Sequence, residues 1–321
     1  MLAAGGDGRA ALPVEALYLP FEAGPHRMAM GLVARHPDGL IELDDCCPAG
    51  MAERRALLDR RRAEVFAATA GSDEARQETL DRVAALLPTR YPQHFERDGD
   101  LLHNRLTGER WDLARPAHDP LELAGRLVQE DLCLIGTGDG TGDGAPVLRA
   151  AILCAPSRWR LHEKIGRPLA DIDDGVPLYA DRLAAPVDRF MRHLKPGKLA
   201  ERLNWSIADD PALFQLHGKH RTGLDPSFTP ANAWARLFLR VERQTLSRVP
   251  LSGFVLFTTW VHSYPLSRVA AQPGAAVRLA LTVRAMPEAI MAYKSLPPFK
   301  AALLGFLDGS TAKAGAHDAC V

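Results

Sequence analysis

The chain has 321 residues, 47% apolar and 24% charged, which is ordinary globular composition with length for one large domain or two small ones. Its 39 Lys and Arg balance 39 Asp and Glu, so no basic excess exists to bind phosphate, and nucleic acid is excluded as a natural partner. No run reaches the ~18 apolar residues of a membrane span and the N-terminus carries no apolar leader, which points away from the membrane and to the cytosol.

Residues 1–16 are Gly/Ala-rich and are expected to be loose. Residues 17–305 are expected to form one α+β domain, and 306–321 a loose tail. Residues 49–70 read as a helix, with Met51, Leu57, Leu58, Val65 and Phe66 on a broad apolar stripe. A second helix covers 72–87, capped by Ser72 and closed by Pro88. Thr107-Gly108 between two short runs predicts a hairpin over Leu101–Leu113, and Pro120–Glu130 reads as a third helix.

The pattern then changes. Asp131–Ile135 and Val147–Cys154 are apolar runs of strand length flanking the Gly-rich segment 136–144. A helix-and-turn stretch follows, punctuated by Pro156, Pro168, Pro177, Pro186 and Pro196. Three strands come next: Glu201–Ile207, Arg236–Leu246 and Gly253–His262. No long helix separates the last two, which favours antiparallel pairing. N-terminal helices, two strands, a helical insert, three strands and a C-terminal helical segment give an α+β fold. Its antiparallel sheet of about five strands, within 131–263, has the chain order of a PAS-like sheet. That is an analogy of fold and assigns no function.

Few motifs carry chemistry. Five cysteines, with no C-x-x-C, show neither a disulfide framework nor a zinc site. The Gly-rich run 136–144 lacks G-x-G-x-x-G and a Walker Lys, so a hairpin loop outweighs a phosphate cradle. The strand Leu239–Leu246 is more informative. With period 2, Leu239, Val241, Arg243 and Thr245 share one face, and Arg240, Glu242, Gln244 and Leu246 the other. Charges entering a core are costly unless paired. They are a structural ion-pair network or the polar wall of a ligand pocket.

In Glu201–Ile207, Arg202, Asn204 and Ser206 form a polar face opposite Leu203, Trp205 and Ile207. Arg158, directly after a buried strand, is a candidate binding residue, beside Trp159 as a core plug. Glu130 and Asp131 stand at a helix-to-strand junction, where capping explains them equally well. His262 ends a buried strand, and the histidines are too scattered to read as a metal cluster.

Several separated stretches resemble one family. They are Y-L-P-F-E-A-G-P-H-R-M-A-M-G-L at 18–32, L-V-Q-E-D-L-C-L at 127–134 and P-S-R-W-R-L-H-E-K-I-G-R-P-L at 156–169. V-P-L-Y at 176–179, V-D-R-F at 187–190, R-L-N-W-S-I at 202–207, L-R-V-E-R-Q-T-L at 239–246 and S-G-F-V-L-F-T at 252–258 follow in order. In these the chain is similar to the haem-dependent oxidative N-demethylases. The resemblance implies haem b in a PAS-like fold and oxidative demethylation of a small secondary amine such as dimethylamine. O₂ is consumed, formaldehyde and a primary amine are released, and a flavin and iron–sulfur reductase supplies electrons.

On this reading Arg158, Lys164, Arg202, Trp205, Arg240 and Arg243 hold the cofactor, and Glu242, Glu130 and His262 serve catalysis. Relatives read I-H-x-P-V-P where this chain reads I-D-D-G-V-P at 172–177, so Asp173 stands at the expected histidine. His162 is the substitute candidate for the haem iron. Trp260 and His262 replace an Arg and a Tyr of the relatives. These departures also admit a non-catalytic haem- or ligand-binding protein, and a scaffold with an empty sheet ranks third.

Overall fold

The computed structural model describes residues 11–24, 29–138, 144–172, 177 and 183–318. Strand β1 (Val33–Arg35) and helix α1 (Cys47–Val65) lead to β2 (Phe66–Ala68) and α2 (Asp73–Arg90). A meander of β3 (Phe95–Asp98), β4 (Leu101–Asn104) and β5 (Glu109–Asp112) precedes α3 (Pro120–Arg126). Then come β6 (Asp131–Gly136), β7 (Val147–Ile152), α4 (Leu169–Ile172), α5 (Ala184–His193) and β8 (Leu199–Ala208). Short α6 (Ala233–Arg236) leads into β9 (Phe238–Arg248) and β10 (Val255–Pro265). Four helices follow: α7 (Leu266–Ala270), α8 (Ala275–Ala285), α9 (Glu288–Tyr293) and α10 (Lys300–Asp318).

The fold is α+β. Seven strands form one antiparallel sheet in the order β1-β8-β9-β10-β6-β7-β2, and β3-β4-β5 form a second. The five longer strands are those the hydrophobic runs predict. The edges β1 and β2 have three residues each, too few to show a period of two.

Register decides which side chains share a face. Gln244 lies opposite Arg202 and Thr259, and Glu242 opposite Asn204 and Val261. Polar residues of β8 and β9 therefore stand together on one face. On the other face Val241 meets Trp205 and His262, and Arg243 meets Leu203 and Trp260. The face opposite Glu242 and Gln244 carries two cores. Leu132, Leu134, Ala150 and Ile152 pack with Leu58, Leu80 and Leu87 of α1 and α2. Leu239, Val241 and Tyr264 pack with Leu279, Val283 and Leu303 of α8 and α10.

Four expectations need correction. Helix α10 runs to Asp318 and buries Leu307 completely, where a loose tail from 306 was expected. Helix α2 passes through Pro88 and ends at Arg90. A proline in the last turn removes one N–H and costs less than in a helix interior. Ser72 sits at the head of α2 but turns its hydroxyl to the Thr69 carbonyl (2.7 Å), so it does not cap by side chain. Within 11–16, expected to be loose, Glu15 is held by Asp45, His262 and Arg268.

Candidate functional site

The polar sheet face and the helical insert enclose a cavity of about 590 Å³, within the size range of small-molecule and cofactor sites. Its apolar wall includes Leu148, Leu153, Leu169, Val187, Phe190 and Phe257. Its floor carries Arg202, Asn204, Arg240, Glu242, Gln244 and Thr259. The floor is polar because β8 and β9 place every second residue there, and those residues are charged or amides.

Glu242 is the centre of this floor. Ser157 Oγ donates to Glu242 Oε1 (2.5 Å). Asn204 Nδ2 (3.1 Å) and Gln244 Nε2 (2.8 Å) donate to Oε2. Burial pushes this carboxyl up, but the Ser157 hydrogen bond, the Arg240 charge, the Asn204 bond and Lys294 together hold it below its ordinary value. It is an ionised carboxylate at neutral pH. Lys294, at the end of α9, donates from Nζ to the Trp205 carbonyl (2.5 Å) and reaches Asn204 Oδ1 at 3.4 Å. Burial brings its ammonium down to about 8, against the pull of Glu242, with Arg202 adding to the fall. A carboxylate and an easily deprotonated amine thus share one wall.

Arg240 is buried and acts as a clamp. It donates to the carbonyls of Ala155 (3.0 Å), Leu213 (2.9 Å) and Ala212 (3.1 Å) and to Ser157 Oγ (3.1 Å). It fixes the chain after β7 to the chain after β8, and so sets the position of Ser157. Arg202 Nε donates to Gln244 Oε1 (2.6 Å). Arg158 takes a left-handed backbone, φ 62°, which is costly for a side-chain-bearing residue and concentrates at functional sites. Its guanidinium holds Asp209 Oδ1 (2.6 Å), Gln215 Oε1 (3.2 Å) and the Gly218 carbonyl (2.8 Å). Lys164 also lines the cavity, donating to the Ile172 carbonyl (3.1 Å) and lying over the Trp159 ring (4.7 Å).

Of the residues singled out in the sequence, the cavity collects Glu242, Arg158, Lys164, Arg202, Trp205 and Arg240. Trp205 touches it from the far side of β8, with its ring edge-on to Phe21. Four others fall elsewhere. Arg243 points to the opposite face and pairs with Glu201 (2.8 Å), Glu42 (3.2 Å) and the Gly39 carbonyl (2.5 Å), so it belongs to a structural network. Glu130 is fully buried outside the cavity, accepting from the Glu42 N–H (2.9 Å). His162 is exposed on a short 3₁₀ turn and does not line the cavity. His262 lines a second, smaller cavity. Asp173 lies outside the described residues.

Lys294 and Ser157 are the residues that sequence reasoning missed as site members. Ser157 lies in a quoted motif and was passed over for its neighbour Arg158. Lys294 has no local signal. Its position depends on α9 returning to a strand about ninety residues earlier.

Fold and cavity define an α+β protein with a cavity of small-molecule or cofactor size on one face of an antiparallel sheet. The family model for the haem-dependent oxidative N-demethylase, alpha subunit-like proteins matches residues 31–304, and the chain belongs to that family. The cavity's volume and lining chemistry fit a haem. Its apolar walls would face the macrocycle, and Lys164 and Arg202, with Arg158 beside its partner Asp209, would hold the propionates. Among the described lining residues none is a histidine. Cys133, Met30, Met191 and Tyr293 carry donor atoms of axial-ligand type.

Proposed function

We propose that the protein is a haem-b-dependent oxidative N-demethylase acting on a small secondary amine of the dimethylamine type. The observation that carries this is Glu242, an ionised carboxylate in a cavity of cofactor size. Family membership supports the haem and the reaction class. Two strands, a helical insert and three strands in one antiparallel sheet support a PAS-like fold. The cytoplasm is the proposed compartment, with a flavin and iron–sulfur reductase as electron donor.

One secondary amine, one O₂, two electrons and two protons give one primary amine, one formaldehyde and one water. When bound, haem supplies O₂ activation. The chain's residues do the rest. Glu242 holds the substrate's ammonium by a charge-assisted hydrogen bond. Lys294, with its ammonium near 8, takes or returns a proton at Nζ beside it. Arg158, Lys164 and Arg202 hold the propionates. Leu148, Leu153, Phe190 and Phe257 exclude water from the methyl group.

Titrating haem into the purified protein is expected to give a Soret band at one haem per chain. Added reductant, O₂ and dimethylamine are then expected to release formaldehyde. Glu242→Gln keeps the Soret band and weakens amine binding about 10- to 100-fold, since a hydrogen bond to a charged group contributes about 1.5–3 kcal/mol. A folded protein that takes up no haem overturns the reading. Haem uptake without formaldehyde favours the second reading, a haem-binding protein without turnover. That reading draws on the lack of a histidine among the described lining residues.

A further inference from the structure

Strand β10 outruns its neighbour β6. The pairing ends at Thr259 opposite Asp131, and Trp260–Pro265 continue with β9 on one side only. Beside this open edge lies a second cavity of about 290 Å³, lined by Glu15, Asp44, Cys46 and His262 among others. It is distinct from the cavity that holds Glu242.

Three side chains converge there. One ligand atom each from Glu15, Asp44 and His262 lies within 4.8 Å of the other two. Asp44 and His262 are each 3% exposed. Asp44 Oδ1 accepts from the Cys46 N–H (3.0 Å), but Oδ2 is buried and has no partner among the described residues. His262 Nδ1 stands 3.2 Å from Glu15 Oε1, and its Nε2 is buried with no partner among the described residues. Buried polar atoms are paired in the great majority of cases, and an orphan calls for a water or an ion. A carboxylate oxygen and an imidazole nitrogen, both unpartnered among the described residues, thus line one cavity beside the Glu15 carboxylate.

We propose that Glu15, Asp44 and His262 bind a divalent transition-metal ion, which pins the N-terminal segment to the open end of β10. Imidazole with carboxylates suits Zn²⁺ or a similar ion over Mg²⁺, which prefers all-oxygen shells. Ligands at about 2.1 Å from a tetrahedral zinc stand about 3.4 Å apart, so separations within 4.8 Å need a contraction of at most about 1.4 Å to close the site. Cys46 is a further donor lining the same cavity. Its thiol meets Asp44 and Asp45 within the same 4.8 Å limit. Arg268, which pairs with Glu15 Oε2, fixes that carboxylate from outside, as carboxylate-orienting partners do around metal sites. The segment 11–16 has no strand or helix of its own. It is also attached by Leu12 packing on the core, by the Asp45 N–H to the Pro13 carbonyl (2.9 Å), by the Asp45 side chain and by the Tyr264 hydroxyl.

The experiment is elemental analysis of the purified full chain, followed by Zn²⁺ titration against a chromogenic chelator, with Mg²⁺ in parallel. One Zn²⁺ per chain is expected beyond any haem iron, with Mg²⁺ far weaker. Asp44→Asn and His262→Gln should each weaken Zn²⁺ at least tenfold. Glu15→Gln, on a peripheral segment with little risk to folding, should weaken it several-fold and abolish the Zn²⁺-dependent rise in melting temperature. His36→Gln removes an exposed His–Asp pair and should change nothing. No stoichiometric Zn²⁺, or Zn²⁺ binding equal in all three site variants, overturns the proposal. Neither result depends on haem, so it stands or falls apart from the N-demethylase reading.

Discussion

At the scale of single residues, burial sorts the carboxylates into different roles. Glu242 and Glu130 both sit in low-dielectric surroundings, yet their ionisation is opposite. Glu242 collects three donors and two cations and stays charged. Glu130 has one N–H from Glu42 and an unpartnered Oε2, so burial raises it from 4.5 to about 7, against the partial pull of Arg243. An acid whose folded value is raised keeps its proton longer in the folded state. Its favourable contribution is complete below about 4.5 and is lost as pH climbs towards 7. That loss amounts to roughly 3 kcal/mol at most. Glu130→Gln is therefore expected to match the parent in urea denaturation near pH 4 and to exceed it near pH 8. Equal stabilities at pH 8 would show that Glu130 ionises without cost. The sequence placed Glu130 and His262 among catalytic candidates because charge next to an apolar run is conspicuous. Glu130 precedes β6 and so lies outside any alternation, whereas His262 lies within β10 on the face opposite Glu242.

At the scale of elements, strand β9 shows what periodicity can and cannot decide. Alternation separated Arg240, Glu242 and Gln244 from Arg243 correctly, because successive side chains on a strand point to opposite faces. The two faces of the charged run differ in what they meet. One face is a structural network, Arg243 with Glu201 and Glu42. The other is a cavity floor. Close approach of helix to sheet is a second element-scale feature. Gly125 of α3 rests on β7 so tightly that an added Cβ would stand 2.3 Å from Ile152 Cδ1 and 2.8 Å from Cγ2. Alanine gains up to about 1 kcal/mol in helix propensity, but overpacking a core costs about 1–3 kcal/mol. Gly125→Ala is expected to lower stability by about 1 kcal/mol, read from the denaturation midpoint. A more stable variant would mean that Ile152 has room to turn away. In the sequence Gly125 is only a glycine in a predicted helix, and its reason emerges when α3 meets β7.

At the scale of the whole molecule, the cavity is a joint product of distant segments. Its floor comes from β8 and β9, its apolar wall from α4, α5 and β7, and Lys294 from α9. A ligand that binds only the assembled state should stabilise all of them together. Haem at a free concentration 100 times its Kd is expected to add about 2.7 kcal/mol to unfolding, seen as a shifted urea midpoint. An unshifted midpoint with a full Soret band would place the haem on the unfolded chain as well. Fold class, the five main strands and the family membership were determined by the sequence alone. Those depend on hydrophobic period, strand length and motif order, which are local and linear. The partners of Glu242, the separation of Arg243 from the cavity, the helical course of residues 306–318 and the meeting of Glu15 with His262 were decided only by tertiary structure. The physical reason is register. Pairing between strands far apart in the chain chooses which neighbours share a face, and no local pattern encodes that choice.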